Sequence, residues 1–386
     1  MISAPSRQRL RATTLAAVVT ALLLLPGLLS SSASAGPAAT ARIRPSQLPL
    51  GAEPGPAWIS SAHGDQLDNE LHLAGREPIS LEMAGAAAQG VREARAGWLV
   101  DYLVWDRPVL GPHRLVLVRP DGTKRVVAQR TEPVQLVSGD GASYVTRREL
   151  LDRKHRRTAT VLSLVRVDDG HVLGRLRIPG PDEVRVRLMS GYVLMDRIAP
   201  ATKGGASRVT TIRWRPATGK VTTQWRRTAL RTDGYGVGKI GPHEIVLPDR
   251  RKGRGQTVAD LDTHRDLWRL PVGERAMRFG HGVLLTVTDK AGPDEVRTLR
   301  ARKARTGRVL ATYRATIFDS YVRWEAPRRF VIMAADGLEP VADDPDGGFT
   351  WANPSYVRCS IGAAGCERVD MDFNFDGISV EPGTTY

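Results

Sequence analysis

The sequence predicts an all-β protein: a β-propeller of about seven blades, with six as the second choice, behind a cleaved signal peptide. Three observations carry this. Pairs of β-type runs joined by a turn that ends in Gly recur along the chain. An apolar run precedes each pair. Helical periodicity is nearly absent.

Residues 1–35 come first and read as an export signal. Arg7, Arg9 and Arg11 form a basic start, Ala12 to Leu29 is almost wholly apolar, and Ala33-Ser34-Ala35 supplies small residues for cleavage. A retained membrane anchor is the competing reading, and the Pro26-Gly27 break argues against it. No later apolar run is long enough to span a bilayer. Residues 36–55 are rich in Pro, Ala and Gly and read as a flexible spacer. Residues 56–386 form the propeller domain.

Within that domain the paired runs read RLVLVRPDGTKRVVA from Arg114, TVLSLVRVDDGHVLGRLRI from Thr160, SRVTTIRWRPATGKVTTQW from Ser207 and VRTLRARKARTGRVLATYRA from Val296. QTVADLDTHRDLWRLPV, Gln256 to Val272, is a weaker copy. The turn glycines are Gly122, Gly170, Gly219, Gly307 and Gly365, at intervals of 48, 49, 88 and 58 residues; the 88 holds the weak copy. The preceding apolar runs are GWLVDYLVW at Gly97, SYVTRREL at Ser143, GYVLMDRI at Gly191, GYGVGKIG at Gly234, GHGVLLTV at Gly280 and RRFVIMAA at Arg328. PAWISS from Pro56 and ELHLAGREPISLEM form an earlier member. Units of about 40–48 residues with up to four strands match a propeller blade. A lone blade is apolar on both faces, and stacking around an axis buries those faces. Met83 to Ala96 is the one stretch that could form a short helix. Asp372 to Glu381, DFNFDGISVE, is a candidate ring-closing strand.

Cys359 and Cys366 flank the final turn, where an oxidising compartment would join them as a disulfide. A metal site is the alternative, and it lacks further soft ligands of suitable spacing. The formal charge is +15, or +12 without the signal, whose three Arg are unaccompanied by acids. Export together with this charge points away from nucleic acid and toward anionic surfaces: wall polymers, acidic polysaccharides or lipid headgroups. The Arg residues are spread along the chain, which a plain solvated surface also explains.

The chemical motifs are sparse. Gly236-Val237-Gly238-Lys239-Ile240-Gly241 matches a dinucleotide fingerprint, but Pro242 and a β-type run follow where a helix is required. Asp372, Asn374, Asp376 and Gly377 reproduce the start of a calcium loop, whose twelfth position is Gly383 instead of Glu. The D-F-N-F-D alternation also fits an ordinary strand. No HExxH and no GxSxG occurs, and the eight histidines are scattered. The tryptophans recur in or beside predicted strands, as inter-blade packing or as a surface on which sugars could stack.

GWLVDY, RLVLVRPDGTKRVVA, LVSGDGASYV, the TGxV turns and VRCSIGAAGCERV resemble exported TolB-like, WD-repeat-like propellers of actinobacteria, over roughly Ala57 to Val369. The resemblance implies a rigid platform for protein or polymer contacts and carries over no catalytic residue set. The expected function is a non-catalytic exported binding or scaffold module for an extracellular protein or cell-envelope polymer, with no cofactor. Two alternatives stand beside it: a propeller enzyme of glycoside hydrolase or lyase type, and electrostatic adhesion to anionic wall polymer or membrane. The contact surface is expected in the loops at one end of the ring.

Overall fold

The computed structural model describes residues 42–52, 55, 57–60, 70–73, 75–106, 109–202, 206–230, 240–248, 255–288, 295–340, 349–362, 365–370 and 380–381. Their regular structure is dominated by β-strands, with a 3₁₀ turn at Pro45–Gln47.

The strands form seven successive small sheets. The first holds β1 (Ala57–Ser60), β2 (Glu70–Leu73) and β3 (Ile79–Ser80). The second holds β4 (Ala86–Ala94), β5 (Gly97–Asp106), β6 (Val109–Val118) and β7 (Lys124–Thr131). The third holds β8 (Val134–Val137), β9 (Ser143–Leu151), β10 (Arg157–Arg166) and β11 (Val172–Pro179). The fourth holds β12 (Glu183–Met189), β13 (Val193–Ile198), β14 (Ala206–Arg215) and β15 (Lys220–Leu230). The fifth has three strands, β16 (Glu244–Pro248), β17 (Gln256–Asp260) and β18 (Asp266–Arg269). The sixth runs through β19 (Glu274–Gly280), β20 (Val283–Thr288) and β21 (Arg297–Lys303) to β22 (Val309–Ala326). β22 is long enough to serve twice: its first half pairs with β21, and its second half opens the seventh sheet by pairing with β23 (Arg329–Ala335). A side ribbon, β24 (Gly337–Pro340) with β25 (Phe349–Ala352), interrupts that sheet before β26 (Ser355–Ser360) and β27 (Cys366–Arg368) complete it. Apart from the β23–β26 step, strands within a unit pair antiparallel with their sequence neighbours, so the chain meanders through one sheet and then moves to the next. The first strands β4, β8 and β12 of consecutive sheets touch one another.

Six hydrophobic cores fill the spaces between consecutive sheets, from the first to the seventh. The second strand of each unit explains why its sequence is a continuous apolar run. Successive side chains on a strand point to opposite faces. Val100 enters the core shared with the first sheet, while its neighbour Leu99 enters the core shared with the third. Leu284 and Leu285 divide in the same way between the fifth and seventh sheets. A strand buried on both faces needs apolar residues without alternation. The turn at Gly307 shows why glycine ends these hairpins. Its φ is +70°, and a Cβ there would lie 2.6 Å from the Trp268 ring of the preceding sheet.

Two expectations are corrected. Met83 to Ala96 contains no helix; Ala86–Ala94 is strand β4, because pairing with β5 outweighs a weak helical preference that Gly85 and Gly90 already undermine. The apolar run expected at Gly234 lies, over residues 231–239, outside the described residues; among those described, Glu244–Pro248 pairs with β17. The expected spacer is, over residues 42–52, docked. The Ile43 amide donates to Arg314 O at 2.7 Å, and its side chain enters the core between the sixth and seventh sheets. The Gly51 amide donates to Arg368 O at 2.7 Å on β27. Ile43 and Leu48 supply the apolar contacts, and the segment caps strand edges that would otherwise stay open. At the other end of the chain, β28 (Val380–Glu381) pairs in parallel with Val91 and Arg92 of β4. Among the described residues no helix is long and apolar enough to cross a membrane.

Candidate functional site

The charged side chains fall into two groups with different fates. In the interior, arginines are matched. Arg302 and Glu274 are both nearly dry, with Nη2 2.9 Å from Oε2, and Thr286 donates to the same carboxylate at 3.1 Å. Arg358 lies between Glu325 and Glu367, 2.5 and 2.7 Å away, and donates to Ala52 O at 3.0 Å. Arg213 reaches from the fourth sheet to Asp262 of the fifth at 2.6 Å, with its guanidinium 4.4 Å over the Tyr192 ring. Arg305 of the sixth sheet reaches Asp260 of the fifth at 2.7 Å. The Asp101 carboxylate takes His113 Nδ1 at 2.6 Å and the Val134 amide of the third sheet at 3.1 Å. A buried charge is tolerated only when partnered in this way. The Asp101, Arg213 and Arg305 ties join the second sheet to the third, the fourth to the fifth and the fifth to the sixth.

At the perimeter some arginines are paired, such as Arg156 with Asp152 and Arg166 with Asp169, and others have no such partner among the described residues. Between the outer strand β11 of the third sheet and the face of the fourth lies an open groove of about 580 Å³. Its fourth-sheet wall carries Arg197, Arg208, Thr210, Thr223 and Arg226. Its third-sheet wall is Leu176, Arg177, Ile178 and Pro179. Cross-strand register places Arg197, Thr210 and Arg226 in one row, on the face that also presents Ile212 to the third sheet. Arg197 is held by the Asp182 carboxylate and by Pro179 O at 3.0 Å. Arg208 and Arg226 are exposed and have no hydrogen-bond or ion-pair partner for their side chains among the described residues.

One blade back, a second groove of about 450 Å³ lies between β7 and the third sheet, lined by Arg130, Glu132, Thr146, Arg148, Ser163 and Arg175 among others. The row equivalent to Arg197–Thr210–Arg226 is Arg148–Val161–Arg177. Arg177 stands on β11, the strand between the two grooves, and Arg148, Arg175 and Arg177 are likewise exposed without side-chain partners among the described residues. Tyr144 lies buried in this second groove, and desolvation pushes its hydroxyl pKa up to about 12. It therefore stays neutral at any physiological pH. Each groove thus combines apolar wall, hydroxyl groups and guanidinium forks, a set suited to holding anionic oxygen.

Of the residues singled out from sequence, Cys359 and Cys366 form a disulfide, with Cα atoms 4.2 Å apart across β26 and β27. Asp372, Asn374 and Asp376 lie outside the described residues, as do Gly236 to Lys239. Among the described residues no group of three or more His, Cys, Asp and Glu side chains is arranged to hold a metal ion. Trp214 and Trp324 are core residues, and Trp268 packs half-buried between the fifth and sixth sheets, where its indole donates to Ala304 O at 2.7 Å. The two grooves were not foreseen from sequence. Their only trace there is the pair of arginines two residues apart in GRLRI, Arg175 and Arg177.

No protein-family model and no curated protein matches this chain. Solved structures do. An acylaminoacyl peptidase from Pyrococcus horikoshii aligns with a TM-score of 0.52 at 8% identity, over 85% of this chain and 52% of that one. The chain thus spans about half the length of that peptidase. The β-propeller domain of the Trilobed protease from Pyrococcus furiosus aligns with a TM-score of 0.48 at 8% identity, over 75% and 85% of the two chains. TolB from Acinetobacter baumannii aligns at 0.35 and 12% identity, over 67% and 65%. Identities this low speak to fold alone. Seven sheets in sequence order, joined by six shared cores, make the chain a β-propeller.

Proposed function

We propose that this protein is an exported binding module that holds an anionic component of the cell envelope on the rim of a rigid propeller and performs no covalent chemistry. One observation carries the reading. Arg213, Arg302 and Arg358 inside the propeller are neutralised by carboxylates, whereas Arg148, Arg175, Arg177, Arg208 and Arg226 are exposed around two open grooves without side-chain partners among the described residues. A solvated surface gains little from such a concentration, since like charges held together repel. An anion entering the groove relieves that repulsion and satisfies the guanidinium donors. The export signal expected from residues 1–35 would bring the chain to a compartment rich in anionic polymers. The test is retention of the protein, lacking residues 1–35, on immobilised envelope extract. Retention at low ionic strength with release at high ionic strength is expected, because exposed charges are screened by salt. Retention that ignores ionic strength, or no retention at all, sinks the proposal.

A further inference from the structure

Resting on that binding reading, we infer that the two grooves flanking β11 are consecutive subsites for one linear acidic polysaccharide, with carboxylates of the glycan seated on the arginine rows. Three features select this ligand. The first is charge. Arg208 and Arg226 in one groove, and Arg148 and Arg175 in the other, face the opening with no side-chain partner among the described residues, while the acids present are few: Asp182, already engaged by Arg197, and Glu132. A planar guanidinium matches a carboxylate with two parallel hydrogen bonds.

The second feature is the remainder of the lining. Thr210 and Thr223 line the larger groove, and Ser163 and the more deeply set Thr146 the smaller, so each contains hydroxyls beside its arginines. Leu176, Ile178 and Pro179 form an apolar wall opposite. A sugar ring presents hydroxyls at its edge and C–H groups on its face, so it can use both walls. A simple oxyanion can use only the guanidiniums. The third feature is repetition. The Arg–x–Arg row recurs one blade back, at Arg148–Val161–Arg177. Volumes of about 580 and 450 Å³, on either side of one exposed strand, suit a chain that continues from one site to the next better than a single small ligand. Two linked subsites also raise avidity, because engagement of the second becomes intramolecular.

The experiment measures binding of a defined oligogalacturonide to the protein lacking residues 1–35 by titration calorimetry. It is run beside a neutral oligogalactoside and an inorganic polyphosphate of similar length. The wild type should bind the oligogalacturonide, with affinity falling as salt rises, and bind the neutral chain at least about tenfold more weakly. Arg208→Ser with Arg226→Ser, and separately Arg148→Ser with Arg175→Ser, should each weaken binding by about tenfold, since each removes two charge-assisted contacts. The affected side chains are exposed, and an unchanged thermal midpoint confirms folding of each variant. Arg208→Lys with Arg226→Lys keeps the charge and should still lose several-fold through loss of the fork. Equal binding of the neutral chain, or Ser variants that bind like wild type, overturns the inference. Polyphosphate bound as tightly as the oligogalacturonide also overturns it, since charge alone would then suffice. If envelope retention persists with salt sensitivity while the Ser variants are unaffected, the subsites are wrong and the broader binding reading survives.

Discussion

Replacing Glu274 by Gln should destabilise the propeller by about 3–5 kcal/mol, the cost of leaving the partner of a buried ion pair uncompensated. The carboxylate is almost dry, with 5% side-chain exposure, and Arg302 opposite it has 9%. Arg302 Nη2 donates to both oxygens, at 2.9 and 3.1 Å, Arg300 donates to Oε1, and Thr286 donates to Oε2 at 3.1 Å. Gln keeps the shape but removes the charge and turns an NH₂ toward one of these donors. The guanidinium of Arg302 has little access to water and cannot lose its proton. At about 2.1 cal/mol/K per residue, a domain of about 330 residues has an unfolding entropy near 0.7 kcal/mol/K, so the midpoint should fall by about 4–7 °C. Circular dichroism of wild type, Glu274→Gln, Arg302→Met and the double variant Glu274→Leu with Arg302→Met measures this. The double variant should recover much of the loss, because exchanging a buried pair for apolar groups is close to neutral. A Glu274→Gln midpoint within about 1 °C of wild type, or a double variant that loses the sum of both singles, would refute the reasoning.

Two further outcomes are expected. Cys359→Ala with Cys366→Ala should cost about 2 kcal/mol, since the disulfide closes a short loop with a sequence separation of 7; reductant added to wild type should reproduce the same drop in thermal midpoint, and a reductant effect without a variant effect would contradict this. Asp260 is held at a pKa of about 2, chiefly by the Thr263 amide at 2.8 Å and then by Arg305 at 2.7 Å. Its folded value lies below the unfolded value of about 3.9, so the carboxylate contributes at most about 2.6 kcal/mol before screening by solvent at half-exposed Arg305 reduces it, present above pH ~4 and lost as pH falls toward 2. Asp260→Asn should therefore flatten the acid limb of stability between those pH values in denaturant titrations; parallel curves for variant and wild type would argue against it.

The amino-acid sequence by itself determined the class of fold and most of its units. Continuous apolar runs such as GWLVDY and HGVLLTV declare strands buried on both faces, and glycine-ended turns at a near-constant interval declare a repeated sheet. The cysteine pair was equally legible, because both its partners lie within one hairpin. Errors arose where local pattern and pairing compete. Ala86–Ala94 has the composition of a helix and becomes a strand only through β5. The segment 42–52 reads as a spacer, yet it is fixed by edges of strands that follow it by some 270 to 320 residues, a distance no local pattern records. The candidate site belongs wholly to tertiary structure. Arg197 and Arg226 share a row only because both register on β14 at Thr210, and the groove they line exists only because β11 of the neighbouring sheet stands opposite. Sequence encodes which faces must be buried, since that depends on residue type and period. Which exposed charges converge depends on register and on the angle between blades, and those are settled only when the sheets stack.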